Sequence, residues 1–322
     1  MNIWYLLLGI GFGIVLQRSH ICFVNATSDP QITGSTEVFR AILIGILTSS
    51  LGITIIKYLS NGTLDMLGVS TISLPLIAGA FIFGIGMILA GSCASGMFIR
   101  LAEGYIIHLI TIPCVILGYL FANSHYQTVW APFVINAPAI FLPAELGWPI
   151  GVGANVLLIL MIYLVALRHE QNTSSSTSSK YLWGAVCLGI LNVVHYLVLN
   201  SAWSVTGAFY WFSEIPSLLH ADPEVLQTAI GPNLRNLGMF LGAFLSVIFA
   251  KSLKIQKIRS KKQITKTILG GFLMGYGACI AGGCNISAFF VAAASLSISA
   301  WVFLIFLFAG SFIGIKLLYK FM

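Results

Sequence analysis

Residues 79–93 read GAFIFGIGMILAGSC and residues 270–284 read GGFLMGYGACIAGGC. A constant offset of 191 aligns them without a gap, and seven of fifteen positions match: Gly79/Gly270, Phe81/Phe272, Gly84/Gly275, Gly86/Gly277, Ala90/Ala281, Gly91/Gly282 and Cys93/Cys284. Small residues at helical spacing also mark ordinary tight packing between membrane helices, so the glycines alone decide little. The shared Ala-Gly-x-Cys ending decides more. In each copy the cysteine falls where a long apolar run stops and a short one begins.

The full chain of 322 residues has the same character, 58% hydrophobic and only 8% charged. A soluble domain carries about 25% charged residues. The balance predicts an all-α polytopic membrane protein, and it excludes a secreted disulfide scaffold, a nucleic-acid-binding domain and a soluble enzyme with one anchor. Apolar windows predict about nine transmembrane helices, near 2–17, 37–58, 74–92, 104–122, 148–168, 181–199, 234–251, 265–283 and 297–318. The first run starts at Ile3 with no basic stretch before it, and so reads as a membrane segment and not a cleaved signal. Four apolar pieces, near 19–28, 94–101, 202–213 and 285–295, are too short to span. With Gly, Ser and Asn beside them they read as re-entrant half-helices around a pathway, interfacial loops being the plainer alternative.

Charge reports topology. Of the sixteen basic residues behind the net charge of +7, seven lie between Lys251 and Lys266, the ordinary mark of a cytoplasmic loop. Alternating from that loop puts Arg18, Arg40, Arg100, Arg168, Lys180, Lys316 and Lys320 inside as well, leaving Lys57 and Arg235 near the outer face. The outer connections carry acids instead: Asp65, Glu145, Glu214, Asp222 and Glu224. The N-terminus is therefore expected outside and the C-terminus inside. The polar stretch Asn172–Ser179 reads as a flexible linker. The two motif copies then run in opposite directions. The chain divides into a first half at 1–122, a connecting span and linker at 123–180, and a second half at 181–322. Inverted-topology repeats place a substrate path where broken helices meet, which favours transport over enzymology.

Three cysteines sit at breaks: Cys22, Cys93 and Cys284. The other three, Cys114, Cys187 and Cys279, lie inside apolar runs as small hydrophobes. Beside the break cysteines, Gly91, Ser92, Gly283 and Asn285 let backbone approach a ligand, and the following short helix offers unpaired N–H groups. Such a break is an anion site without a fixed cation. A polarizable thiol suits a soft sulfur-bearing anion better than a hard oxyanion. Thiolate character could also make the cysteine a nucleophile toward sulfane sulfur, and relay by hydrogen bond or by covalent bond are both open.

No Cys-x-x-Cys pair supports a thiol-disulfide oxidoreductase. His108 and His195 stand alone in apolar runs and read as structural hydrogen-bonders, while His20, two residues from Cys22, is a candidate for the site. No metal or other cofactor is implied. Polar groups at membrane depth are costly and carry a hypothesis of their own: Asn192, Asn200, Asn233, Asn236 and Arg235, with Arg100, Trp203 and Thr206 as further candidates. A membrane sulfur-transfer enzyme forming a persulfide is the alternative from another class, and a soft-metal transporter the weakest reading.

Taken together, GIGFGIVLQRSHICFVNA (9–26), AGSCASG (90–96), WSVTGAF (203–209), GPNLRNLG (231–238) and AGGCNISAFF (281–290) resemble the YeeE/YedE family of bacterial inner-membrane sulfur-compound transporters across nearly the whole chain. The resemblance implies two inverted halves, nine spans with extra short helices, an hourglass shape, and uptake of thiosulfate. It further implies a relay of S–H to sulfur hydrogen bonds that falls here on Cys22, Cys93 and Cys284. It implies no nucleic acid and, as partner, a small cytoplasmic sulfur carrier of the TusA type, to which the basic loop at 251–266 offers a surface. The first motif commonly continues to an Arg-Asp pair, whereas this chain reads VNATSD and leaves Asp29 without that arginine. Members are also linked to selenium handling, and a soft selenium compound meets the same physical argument.

Overall fold

A computed structural model describes residues 2–60, 63–170, 178–212, 223–258 and 260–321, and for 223–229 and 321 the backbone alone. Residues 172–177 of the serine-rich linker, Glu214, Asp222 and Arg259 lie outside the described residues, as does the side chain of Glu224. The helices are α1 (Asn2–Ser19), α2 (Phe23–Ile32), α3 (Glu37–Leu59), α4 (Leu74–Ala90), α5 (Gly96–Ala102), α6 (His108–Val129), α7 (Leu142–Leu146), α8 (Trp148–His169), α9 (Ser179–Leu199), α10 (Pro223–Phe249), α11 (Lys261–Ile280) and α12 (Ser299–Phe321). All but α2, α5 and α7 coincide with a predicted span. The four short pieces also form, as α2, α5, a 3-10 turn at Thr206–Phe209 and a π-helix at Asn285–Val291 that runs on through Ala292–Ala294.

Among the described residues six stretches are long and apolar enough to cross a bilayer, and a seventh joins them if α11 and the bent piece after it, at 47°, count as one. The protein is an all-α polytopic membrane protein. At 17 residues, α4 is a shorter apolar helix. Two boundaries differ from the sequence expectation. Helix α6 starts at His108 because Gly104, at φ +100°, leaves helical geometry, and its carbonyl accepts the Gln256 N–H at 2.8 Å. It then continues to Val129, past the expected end of that span at 122. Helix α10 begins at Pro223 and passes straight through Pro232, which reads in sequence as a break. A membrane helix tolerates proline where neighbours satisfy the freed groups.

Close glycine contacts fix the direction of each packed pair. Along α4 and α11, Gly79 meets Gly277 and Gly86 meets Gly270, so these two helices run antiparallel. Helix α1 packs parallel to α10, with Gly9 at Arg235 and Gly13 at Met239; α3 packs parallel to α9, with Gly45 at Ala185 and Gly52 at Val193. Helix α6 lies parallel to α11, with Thr111 at Gly271 and Val115 at Gly275; α4 lies parallel to α12, with Gly84 at Leu307 and Ile88 at Gly314. Helix α8 packs on α3, where the Asn155 amide donates to Ser50 Oγ at 3.1 Å and to the Ala293 carbonyl at 3.2 Å.

The two ends of α3 carry buried cations with different partners. Arg40 pairs with Glu170 at 3.1 Å. Lys57 donates to the carbonyls of Asp65 at 2.7 Å and Ser295 at 3.2 Å and lies 4.6 Å from the centre of the Phe141 ring. A buried charge is costly unless its protons are taken, and these contacts take them while tying the 60–70 loop and the α8 end to the bundle.

Candidate functional site

At the end of α4 the chain turns through Gly91 at φ +69°, and at the end of α11 through Gly282 at φ +72°. This left-handed geometry stops a helix within one residue and is cheap only without a Cβ. A Cβ built at either glycine meets nothing within 4 Å, so its cost is conformational and not steric. Gly282→Ala is therefore expected to lower stability by about 1–2 kcal/mol without a clash. Thermal unfolding of the purified protein measures this, and an unchanged midpoint would mean that the turn is not held left-handed.

The first break gathers Cys22, Cys93, His20 and Arg100. Cys22 stands before α2 and Cys93 before α5, and both thiols lie around Gly96, where an added Cβ would be 3.2 Å from Cys93 Sγ and 3.9 Å from Cys22 Sγ. Cys93 is buried; its Sγ also takes the Gly96 N–H at 3.3 Å and lies 3.4 Å from Ser95 Oγ. A pocket of about 170 Å³ opens onto Cys22, lined by His20, Asn25, Ser95, Arg100, Glu103 and Tyr105. His20 adopts φ +54°, is largely exposed, and approaches Glu103 at 4.0 Å. Arg100 lies 5.8 Å from the Tyr105 ring centre, at the rim of the same pocket. Ser92, also a candidate, points elsewhere: its Oγ is 3.4 Å from His108 Nδ1, which in turn is 3.0 Å from Thr111 Oγ1.

The second break gathers Cys284, Gly283, Asn285 and Arg235. Cys284 is fully buried before the π-helix, and a π-helix often marks a functional site. Its N–H donates to Ser287 Oγ at 3.0 Å and its side chain accepts from the Ser287 backbone N–H, a capping box, with Sγ also 3.8 Å from Ser287 Oγ. Ser204 Oγ donates to Ser287 Oγ at 3.3 Å. Asn285 is fully buried with both ends of its amide unpartnered, and Thr206 Oγ1 is likewise buried without a partner. Arg235 donates to His195 Nε2 at 2.7 Å and to the Ser204 carbonyl. Because α4 and α11 are antiparallel, this break and the first one stand at opposite ends of that pair.

Aromatic rings connect the two breaks. Trp203 stacks on Phe12 at 3.7 Å and meets Phe290 edge-on at 6.5 Å, and Phe290 meets Phe23, the neighbour of Cys22, at 6.3 Å. All four rings are buried. Two candidates take structural roles instead: Asn200 caps α9 at φ +46° with its side chain exposed, and Asn233 donates to the Ala208 carbonyl at 3.1 Å. Asn236 does the same for Val205 at 2.9 Å, and Asn192 for Ser49 Oγ at 2.7 Å. Sequence reading missed Ser204, Ser287 and the bond from Arg235 to His195. Ser287, three residues after a cysteine at a helix start, carried a readable capping-box signal.

A family profile described as sulphur transport matches residues 18–313, a stretch that contains both breaks. The chain belongs to the sulphur transport family. Among its relatives are the thiosulfate transporters TsuA of Spirochaeta thermophila, 27% identical over 98% of both chains, and of Escherichia coli, 24% identical over 98% of this chain and 94% of that one. The probable transporter YedE of Escherichia coli is 32% identical over 41% of this chain and 36% of its own. Family membership makes the polytopic architecture that of a transporter.

Proposed function

We propose that the protein imports thiosulfate, or a closely related soft sulfur anion, across a bacterial inner membrane, with its N-terminus outside and its C-terminus inside. The observation that carries this reading is the pair of breaks, each with a buried cysteine at the start of a short helix, in a chain whose full-length relatives are named thiosulfate transporters. Thiosulfate offers a terminal sulfur to a thiol S–H and oxygens to backbone and amide N–H groups. Cys284, with the unpartnered Asn285 amide beside it, receives the anion from outside. The anion then passes to the thiols of Cys93 and Cys22 around Gly96 and leaves through the pocket over Cys22. A hydrogen-bond relay needs no redox partner.

Two inverted halves joined through α8 frame this path. What supports that division is that the contacts repeat when the halves are exchanged: α1 on α10 answers α9 on α3, and α4 on α12 answers α11 on α6, all parallel, while α4 and α11 cross antiparallel. A TusA-like carrier collects sulfur on the inner side. Tyr105, Lys257, Ser260 and Lys266 surround a surface pocket of about 560 Å³ that shares Tyr105 with the pocket over Cys22.

Uptake of sulfane-labelled thiosulfate into cells lacking other sulfur importers tests the reading, with Cys93→Ala compared at equal membrane expression. Accumulation that depends on Cys93 is the expected result. Wild-type uptake no greater than in empty cells would move the substrate to a selenium or other sulfur species.

A further inference from the structure

Arg235 differs from the other two buried cations. Arg40 has the Glu170 carboxylate, and Lys57 gives its protons to two carbonyls beside an aromatic ring. Like Lys57, Arg235 lies beside an aromatic ring, Tyr5 at 5.9 Å, but it is only 3% exposed, has no carboxylate within ion-pair distance among the described residues, and keeps its Nε–H without a partner. An unneutralised guanidinium at membrane depth is expensive, and what removes that cost is an anion.

Its position says which anion. Through the Ser204 carbonyl Arg235 holds the residue whose hydroxyl bonds Ser287, and Ser287 contacts Cys284 Sγ at 3.8 Å. On the other side, arginine only donates, so His195 Nε2 must accept and its proton sits on Nδ1, which donates to the Ser201 carbonyl at 3.1 Å. A neutral histidine thus orients the guanidinium without cancelling its charge.

We propose that Arg235, positioned by His195, is the fixed cation that makes the Cys284 break prefer a divalent sulfur oxyanion over a monovalent one. The inference rests on the transport reading above and corrects one expectation of the sequence, that the break works without a fixed cation. A thiol selects for soft sulfur; the guanidinium selects for charge.

Labelled thiosulfate uptake, competed by methanethiosulfonate, separates the two selections, since both anions end in the same terminal sulfur but carry two charges and one. In Arg235→Gln the KM for thiosulfate should rise about tenfold or more, the worth of a charge-assisted hydrogen bond, while the inhibition constant of methanethiosulfonate changes little. Arg235→Lys keeps a positive charge and should keep the preference, and it carries the test if Arg235→Gln does not accumulate. His195→Gln retains an acceptor and should behave as wild type, whereas His195→Leu should lose part of the preference. Equal weakening of both anions in Arg235→Gln, or loss of preference in Arg235→Lys, overturns the proposal, and an unaltered preference in His195→Leu removes His195 from it. Absent wild-type uptake would defeat the transport reading itself; normal uptake with an unchanged anion preference in Arg235→Gln defeats only this inference.

Discussion

Cys284→Ala is expected to lower thiosulfate uptake by about 100-fold, the equivalent of about 3 kcal/mol for leaving a buried polar partner unsatisfied. Cys284 is fully buried, and the thiol is the one soft donor placed beside the Asn285 amide in that break. Alanine removes the donor, and no exposed surface remains through which water could replace it. Cys284→Ser distinguishes the kind of relay. A hydroxyl still donates a hydrogen bond, so partial uptake is expected from a hydrogen-bond relay, whereas a covalent persulfide relay would leave the serine variant as inactive as alanine. Cys187→Ala, at a packing position on α9, is the control and should transport normally. Initial rates at matched membrane expression decide the matter, and full activity in Cys284→Ala would take the second break out of the path.

Gly277→Val should act on the fold, with the largest stability loss of the substitutions considered. A Cβ at Gly277 lies 2.6 Å from the Gly79 carbonyl oxygen and 2.6 Å from the Phe83 nitrogen, both backbone atoms of the antiparallel partner α4. Neither can swing aside as a side chain would, so the helices must separate. Overpacking of this kind costs about 3 kcal/mol, more than the strain at Gly282. The expected result is a clear fall in the unfolding temperature in detergent and in the amount of protein reaching the membrane. A variant that accumulates and melts like wild type would show that the α4–α11 seam is looser than its glycines indicate.

Much of the architecture was legible because lipid imposes it. Apolar runs long enough to span stand out without any knowledge of neighbours, and the pieces too short to span were visible for the same reason. The Gly79–Gly277 crossing agrees with the opposite senses read for the two motif copies. Boundaries were less legible. Asn123 and Ser124 look like a loop, yet α6 runs through them, with Ser124 Oγ donating back to the Phe121 carbonyl at 2.8 Å. The breaks at Cys22, Cys93 and Cys284 were legible because the end of an apolar run is a local property. Arg235 was legible as a costly polar group, but its bond to His195 was not, because the two are 40 residues apart and meet only through the packing of α9, α1 and α10. Nothing in GPNLRNLG says that its arginine has no acid within ion-pair distance among the described residues.

The buried run of Phe12, Trp203, Phe290 and Phe23 between the breaks has an electrical consequence. A living membrane stores energy as voltage, about 2.3 kcal/mol for each elementary charge moved through 100 mV. Protons cross a bilayer fastest along unbroken files of water, and apolar rings give water nothing to bond to. In the relay proposed above, handing an anion from thiol to thiol past such a barrier insulates the membrane during transport, so that sulfur enters without short-circuiting the battery that powers the cell.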